Sequence, residues 1–332
     1  MFALKDVFND TSAHVPGVVN MCSMGVLAMA IAVPVAFSNV EEAPASEVEL
    51  APLPVVLPET SAYPDLPLEL NERVEYWIRR FTSDQRPTFE LFLTQEGAFG
   101  DLIREKLRAR GMPDNLLYLA MIESGLRPGA TSRVEAAGVW QFMGPTAEAY
   151  GLRVDPWVDE RRDPLKATDA ALDYLAWLHD YYQSWYMAAA AYNAGPTRVN
   201  QVLQDAGMME VRGDSVYWQV RHLLPFETRE YVPRLLAAAF LASALHENGF
   251  HQVRRESPYE FDQVWVPGGT SLSRVAGRIG MDRDMLWVLN PHLVQGRTPP
   301  GEAYPLRVPV GAAFQVVASL GDQPWSARLA DD

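Results

Sequence analysis

From Glu69 onward, apolar residues return with the period of a helix. Val74, Trp77, Ile78 and Phe81 stand at i, i+3, i+4 and i+7 and predict an amphipathic helix. Thr88–Gln95, with Phe89, Phe92 and Leu93 on one face, predicts a second helix, and the charged run Leu102–Arg110 a third. Leu116 to Ile122 is apolar or aromatic at every position, so that helix has no polar face and is expected to be buried. Pro113-Asp114 opens it and Gly125 closes it. Thr168 reads as the N-cap of a helix lined by Ala171, Tyr174, Leu175, Leu178 and Tyr182. Trp185–Ala194 is the next helix, ended by Gly195, with the small run Ala188–Ala191 allowing close backbone approach. Arg229–Asn248 reads as a long helix with Pro233 in its first turn and Gly249 beyond its end. No strand pattern interrupts Glu69–Asn248, so the fold class is mainly α.

The pattern changes after Phe250. Phe261–Pro267 alternates like a strand, and a short helix starting at Gly269-Thr270-Ser271-Leu272 turns Val275, Ala276 and Ile279 inward before Gly280. Met285, Leu286 and Leu289 mark a second short helix ending at Asn290-Pro291, and Leu306–Val310 closes as a strand. This predicts a small α+β unit over 257–310, with 311–332 as an unassigned tail. At the other end, Gly25–Phe37 is an uncharged run too short for a span of ~20 residues, and it suits the apolar region of a signal peptide. A membrane anchor beginning near Val18 is the alternative for residues 1–38. Residues 39–68 are rich in Pro and Glu and read as an extended linker.

Composition narrows the function. The net charge of −14 argues against nucleic acid as a partner. Much of that acidity lies in Asn39–Glu72, which holds no Lys or Arg, so it describes the linker more than any site. The single cysteine, Cys22, excludes an intrachain disulfide framework. The six histidines show no metal-ligand spacing, and His179 and His222 read as helix-surface or hydrogen-bonded residues rather than ligands. No metal and no cofactor are expected.

The candidate chemistry is a carboxylate. Glu123 is the first residue after the apolar run. Burial disfavours its charged form, and the negative end of the helix dipole acts in the same direction. A Glu of ordinary pKa ~4.3 is pushed toward ~6–7 in such a place, the range that general acid catalysis uses at neutral pH; on this segment alone, a solvated Glu at a helix end is the alternative reading.

The segment that begins at Glu123 resembles the catalytic block of lytic transglycosylases of the lysozyme superfamily, and among them the membrane-bound type D group. The family pattern E-S-x-x-x-P-x-A-x-S is met by Glu123-Ser124, Pro128, Ala130 and Ser132; G-x-W-Q-F-M by Gly138 and Trp140-Gln141-Phe142-Met143; and T-A-x-x-Y-G-L by Thr146-Ala147 and Tyr150-Gly151-Leu152. Ala191-Tyr192-Asn193-Ala194-Gly195 matches the family's A-Y-N-A-G, and Pro225 to Val232 its P-x-E-T-x-x-Y-V. Glu135 is a departure, because many relatives carry a small residue there. The strand–helix–helix–strand unit resembles a LysM domain, a module that binds N-acetylglucosamine polymers. It departs in Gly269-Thr270-Ser271-Leu272 for the family's G-D-T-L, and in a longer stretch from Gly296 to Pro305. A sugar-binding and a purely structural role are both open for it.

The resemblance implies a lysozyme-like helical domain over 69–256 and peptidoglycan glycan strands as partner and substrate. Glu123 would be general acid and then base, and the product would carry 1,6-anhydromuramic acid. Ser132, Gln141, Met143, Tyr192, Asn193 and Glu227 would bind substrate. Ser132 as a local turn cap and Glu227 as an ion-pair partner of Arg229 are the alternatives. Trp140 and Phe142 are assigned to the core. A hydrolytic muramidase and a non-catalytic peptidoglycan-binding protein are the rival functions. The implied location is the periplasm or cell envelope after export, with the N-terminal segment as a point of membrane attachment.

Overall fold

The computed structural model describes residues 66–320. The readings for the signal or anchor segment, most of the linker and the end of the tail fall outside these residues. Among the described residues, nine α-helices precede the first strand: α1 Glu72–Thr82, α2 Arg86–Ala109, α3 Leu117–Ser124, α4 Gly144–Ala149, α5 Pro164–Tyr182, α6 Trp185–Ala194, α7 Pro196–Asp205, α8 Ser215–Val220 and α9 Phe226–Ser243. Then come β1 Asp262–Val266, α10 Leu272–Arg278, α11 Arg283–Leu289, β2 Tyr304–Val308 and α12 Ala313–Leu320. The mainly helical class and the strand–helix–helix–strand order are those of the sequence reading.

Helix α1 forms as the periodicity predicts. Asn71 caps it by accepting from the Arg73 and Val74 amides, and Val74, Trp77, Ile78 and Phe81 are all buried. Each such side chain contributes about 1.5–3 kcal/mol by leaving water. Glu230 on α9 anchors the helix: its buried carboxylate accepts from Trp77 Nε1 at 2.7 Å, Arg73 Nε at 2.6 Å and Arg221 Nη2 at 2.7 Å. Leu66, read as linker, is buried in the same core, and the Tyr186 hydroxyl donates to the Pro67 carbonyl.

The two helices expected over 88–110 are one continuous helix, α2. The apolar stripe runs without interruption from Phe89 to Leu107, through Gly97 and Gly100. Gly97 is there for a close crossing. A Cβ at this position would overlap the Glu256 carbonyl, and the Glu256 amide donates to Thr94 O at 2.9 Å.

Two further boundaries move. Thr168 is not a cap but a buried residue inside α5; Asp163 caps that helix, accepting from the Leu165 and Lys166 amides. Helix α9 starts at Phe226 and ends at Ser243, so Pro233 lies in its interior rather than in its first turn. The central layer is built from small residues. Ala188–Ala191 of α6 are fully buried where α6 packs on α5 and α9, and Ala237–Ala239 of α9 are buried as well. Helix α3 is sealed as expected: Leu117, Leu119, Ala120 and Met121 have no exposure, and Gly125 closes it at φ +65° with its amide on Met121 O.

In the C-terminal unit, β1 and β2 pair antiparallel with Val264 opposite Leu306. Its core joins Val264, Leu272, Val275, Leu286, Leu306 and Val308 to Val316 of α12, so part of the unassigned tail packs here. Val158, from the loop before α5, belongs to the same cluster.

Candidate active site

Three segments meet around Glu123. The first is α3, which presents Glu123 from its last turn, partly buried. The second is the turn Ala137–Phe142, where Ala137 and Phe142 exchange backbone hydrogen bonds at 3.0 and 3.1 Å. The third is a face of α9 carrying Glu227, Tyr231 and Arg234 at i, i+4 and i+7.

Glu123 Oε1 accepts a hydrogen bond of 2.6 Å from the Tyr231 hydroxyl. Burial pushes the Glu123 carboxyl up to about 7. The Tyr231 bond opposes that rise by favouring the charged form, the charge of Glu227 adds to it, and Arg234 works against it. Burial also holds the Tyr192 and Tyr231 phenols well above the ordinary tyrosine value, with the nearby Glu123 charge adding to the effect. Both are neutral donors at physiological pH. Arg234 keeps a buried Nε without a hydrogen-bond partner, and its guanidinium lies 5.1 Å from the centre of the Trp77 ring. A carboxyl that titrates near neutrality can give up a proton and take one back in the same cycle.

The turn is tied to the helices around it. Ser124, beside Glu123, donates from Oγ to Val139 O at 2.7 Å. Tyr192 of α6 donates to Trp140 O at 2.8 Å. Trp140 is fully buried and donates from Nε1 to Thr168 Oγ1 at 2.9 Å. Trp140 and Phe142 are thus core residues, as assigned.

The other candidates fall into two groups. Gln141 sits at φ +50° and donates from Nε2 to Gly138 O at 2.8 Å, closing the turn on itself. Met143 is next in the chain, 43% exposed, at the start of α4. Asn193 accepts from Thr228 Oγ1 at 2.7 Å, and its Nδ2 lies 3.4 Å from Oε1 of the exposed Glu227. The alternative Glu227–Arg229 pair does not form; Arg229 Nε donates to Leu224 O at 2.6 Å instead. Ser132 stands apart: its hydroxyl accepts from the Ala136 amide at 3.0 Å and the Val134 amide at 3.3 Å, so in this state it caps its own turn. Glu135 occupies a left-handed position at φ +65°, the conformation for which a small residue is usual.

Tyr231 and Arg234 were not among the residues assigned to the site from sequence. Tyr231 stood inside the Pro225–Val232 block, and its i+4 spacing from Glu227 was the available signal. Arg234 lay beyond the block, and only its position one turn after Tyr231 pointed inward.

Residues 101–212 match the family Transglycosylase SLT domain, and residues 260–323 match Lytic transglycosylase MltD, LysM-like domain. The SLT match thus precedes the LysM-like match along the chain. It is 30% identical over 190 residues to the membrane-bound lytic murein transglycosylase D of Escherichia coli K12, a match covering 57% of this chain and 41% of the relative. The chain thus spans about two fifths of that relative's length. Among solved structures it is similar to the 70 kDa soluble lytic transglycosylase of Escherichia coli, at 22% identity and a TM-score of 0.39, covering 57% of this chain and 34% of the other.

Proposed function

We propose that this protein is a peptidoglycan lytic transglycosylase that cleaves the β-1,4 bond between N-acetylmuramic acid and N-acetylglucosamine. The observation that carries this reading is the Glu123 carboxyl, partly buried at the end of an apolar helix, titrating near 7 and held by Tyr231. In the first step Glu123 gives its proton to the glycosidic oxygen as the bond from that oxygen to C1 of the muramic residue breaks. Positive charge then spreads over C1 and the ring oxygen. In the second step the Glu123 carboxylate takes the proton of the C6 hydroxyl as O6 bonds to C1. The 1,6-anhydro ring closes, Glu123 is protonated again, and no water is consumed.

One carboxyl suffices for this cycle, whereas most glycoside hydrolases need two. A well-placed internal hydroxyl can have an effective molarity of ~10⁵–10⁸ M, against roughly 55 M for water, so closure outruns hydrolysis if the sugar is held correctly. Tyr231 would orient Glu123. Tyr192 would hold the turn through Trp140 O, and Gln141 and Met143 would line the groove. Asn193 and Glu227 would form its far wall, and Ser132 would turn to the sugar on binding.

A hydrolytic muramidase is the second reading, and the influence of Glu227 on Glu123 favours naming that residue as its second carboxylate. A non-catalytic glycan-binding protein is the third, and a carboxyl poised near neutrality argues against it. We extend the envelope location from the relative named as membrane-bound, with residues 1–38 as export signal or anchor. Among the described residues no helix is long and apolar enough to cross a membrane.

The test is the rate at which the full chain solubilises purified peptidoglycan. Glu123→Gln should lower it by about 10²–10⁴, the range for loss of a general acid. An unchanged rate would contradict the assignment.

A further inference from the structure

The loop between α4 and α5 belongs to two cores at once. On one side, Val158 is buried in the core of the LysM-like domain and forms a β-bridge with Leu293. The Asp159 amide donates to His292 O at 2.9 Å, Val294 N to Trp157 O at 3.2 Å, and Gln295 Nε2 to Pro156 O at 3.0 Å. A few residues on, the buried Asp163 caps α5 and accepts from Arg307 Nη2 of β2 at 2.7 Å. Arg307 is itself 7% exposed. A buried ion pair with such geometry resists separation, because removing either partner strands a charge away from water.

On its other side the same loop grips the turn beside Glu123. Arg161 binds Asp159 through Nε at 2.8 Å and Nη2 at 2.9 Å, which fixes the plane of the guanidinium. Its remaining Nη1 donates to Glu135 O at 2.8 Å, two residues before the turn, and to Phe142 O at 3.2 Å, at the turn's end. Gly138, at φ +83°, packs so closely on the Arg161 carbonyl that a Cβ there would overlap it. Arg162 continues the grip, donating to Gly129 O at 3.0 Å and Thr131 Oγ1 at 2.8 Å. Val139 O and Trp140 O of that turn receive the bonds from Ser124 and Tyr192.

We infer that Arg161 is a positioning residue for the Ala137–Phe142 turn, and that the LysM-like domain holds Arg161 in place through Asp159, Val158 and the Asp163–Arg307 pair. The domain then acts as a buttress of the active site rather than as a module hung on a linker. This rests on the transglycosylase reading. Its chain of contacts runs from β2 through the loop to Arg161, and from the turn to the residue next to Glu123. A loosened turn would misplace the groups around Glu123 and, through Gln141, one wall residue of the groove, so it should act on kcat more than on KM.

The test uses the full chain and the variants Arg161→Ala, Arg161→Lys and Arg307→Leu. Hydrogen exchange by mass spectrometry tracks the peptide spanning the turn, and kcat and KM are measured on soluble, uncrosslinked glycan strands. Arg161→Ala should speed exchange in the turn and lower kcat by roughly 10- to 100-fold, the cost of a misplacement on the order of 1 Å, with KM little changed. Arg161→Lys should recover part of both, since a lysine offers a point charge but no fork. Arg307→Leu should loosen the same turn from the far side of the interface. The inference is overturned if Arg307→Leu changes exchange only within residues 260–320 and leaves kcat intact. It is also overturned if Arg161→Ala speeds exchange uniformly and kcat falls only with the folded fraction. A wild-type chain without activity, whose turn still loosens on Arg161→Ala, would uphold the buttress and remove the transglycosylase reading instead.

Discussion

The Tyr231 hydroxyl lies 2.6 Å from Glu123 Oε1, joining α9 to the end of α3 across more than a hundred residues of chain. This bond favours the carboxylate, whereas burial favours the acid, and the Glu123 value near 7 is the balance of the two. Tyr231→Phe removes the first influence, so Glu123 should titrate higher. An acid catalyst works while protonated, and its activity falls as pH rises through its pKa. The alkaline limb of the kcat/KM profile, which reports the free enzyme, should therefore move to higher pH in the variant. A limb that stays or moves down contradicts the role given to Tyr231.

The same carboxyl costs stability. Its folded value, about 7, lies above its unfolded value of 4.5. The folded state therefore keeps a proton that the unfolded chain releases, and stability falls as pH rises from about 4.5 to about 7 and stays lower beyond. Glu123→Gln should be more heat-stable than the wild type above pH 7, and the gap should close toward acid pH. For a domain of this size each kcal/mol corresponds to ~2–4 °C in Tm. Calorimetry across pH measures it, and a variant less stable than the wild type at alkaline pH contradicts the burial argument.

Much of this was visible in the sequence, for identifiable reasons. The all-apolar run before Glu123 and the period of Val74, Trp77, Ile78 and Phe81 report burial directly, and burial placed both helices correctly. The segment 88–110 was divided into two helices, although its apolar stripe runs through Gly97, a glycine that serves a close crossing. Thr168 misled because its hydroxyl serves the Trp140 indole, a partner 28 residues away, rather than a helix start. Ser132 and Asn193 were assigned through their motifs, and their bonds in this structure are local or to neighbouring side chains. The grip of Arg161 on the turn carried no signal, since its partners there are backbone carbonyls that any sequence supplies.

Two of the left-handed residues in and just before the turn near Glu123 carry opposite expectations. Glu135, at φ +65°, carries the steric cost of a side chain in that region, so Glu135→Gly should stabilise the protein by ~1 kcal/mol. Gly138 has no room for a side chain against Arg161, so Gly138→Ala should cost more than ~2 kcal/mol and reduce activity as well. Chemical denaturation of both variants tests the pair, and equal effects would contradict the turn's geometry.

The interface with the LysM-like domain should respond to acid. Burial pushes His292 down to about 4, against the pull of Asp163, while Arg307 and Lys166 lower it further. Burial would raise Asp163, but Arg307 and His292 hold it below the usual carboxylate range. His292 folds neutral, so the unfolded state gains a proton first as pH falls, and stability is lost between about 6.5 and about 4. A difference of that size is worth at most ~3 kcal/mol. The Asp163 contribution, present above its unfolded value of 3.8, is lost only at still lower pH. His292→Leu should flatten the decline in Tm between pH 6.5 and 4, and an unchanged slope contradicts it.

The central claim is that one carboxyl, Glu123, closes an internal ring instead of admitting water. Mass spectrometry of the muropeptides released from purified peptidoglycan by the full chain tests it most directly. The expected products end in 1,6-anhydromuramic acid and are missing with Glu123→Gln. Products with reducing muramic ends would contradict the account and direct attention to Glu227 as a second carboxylate.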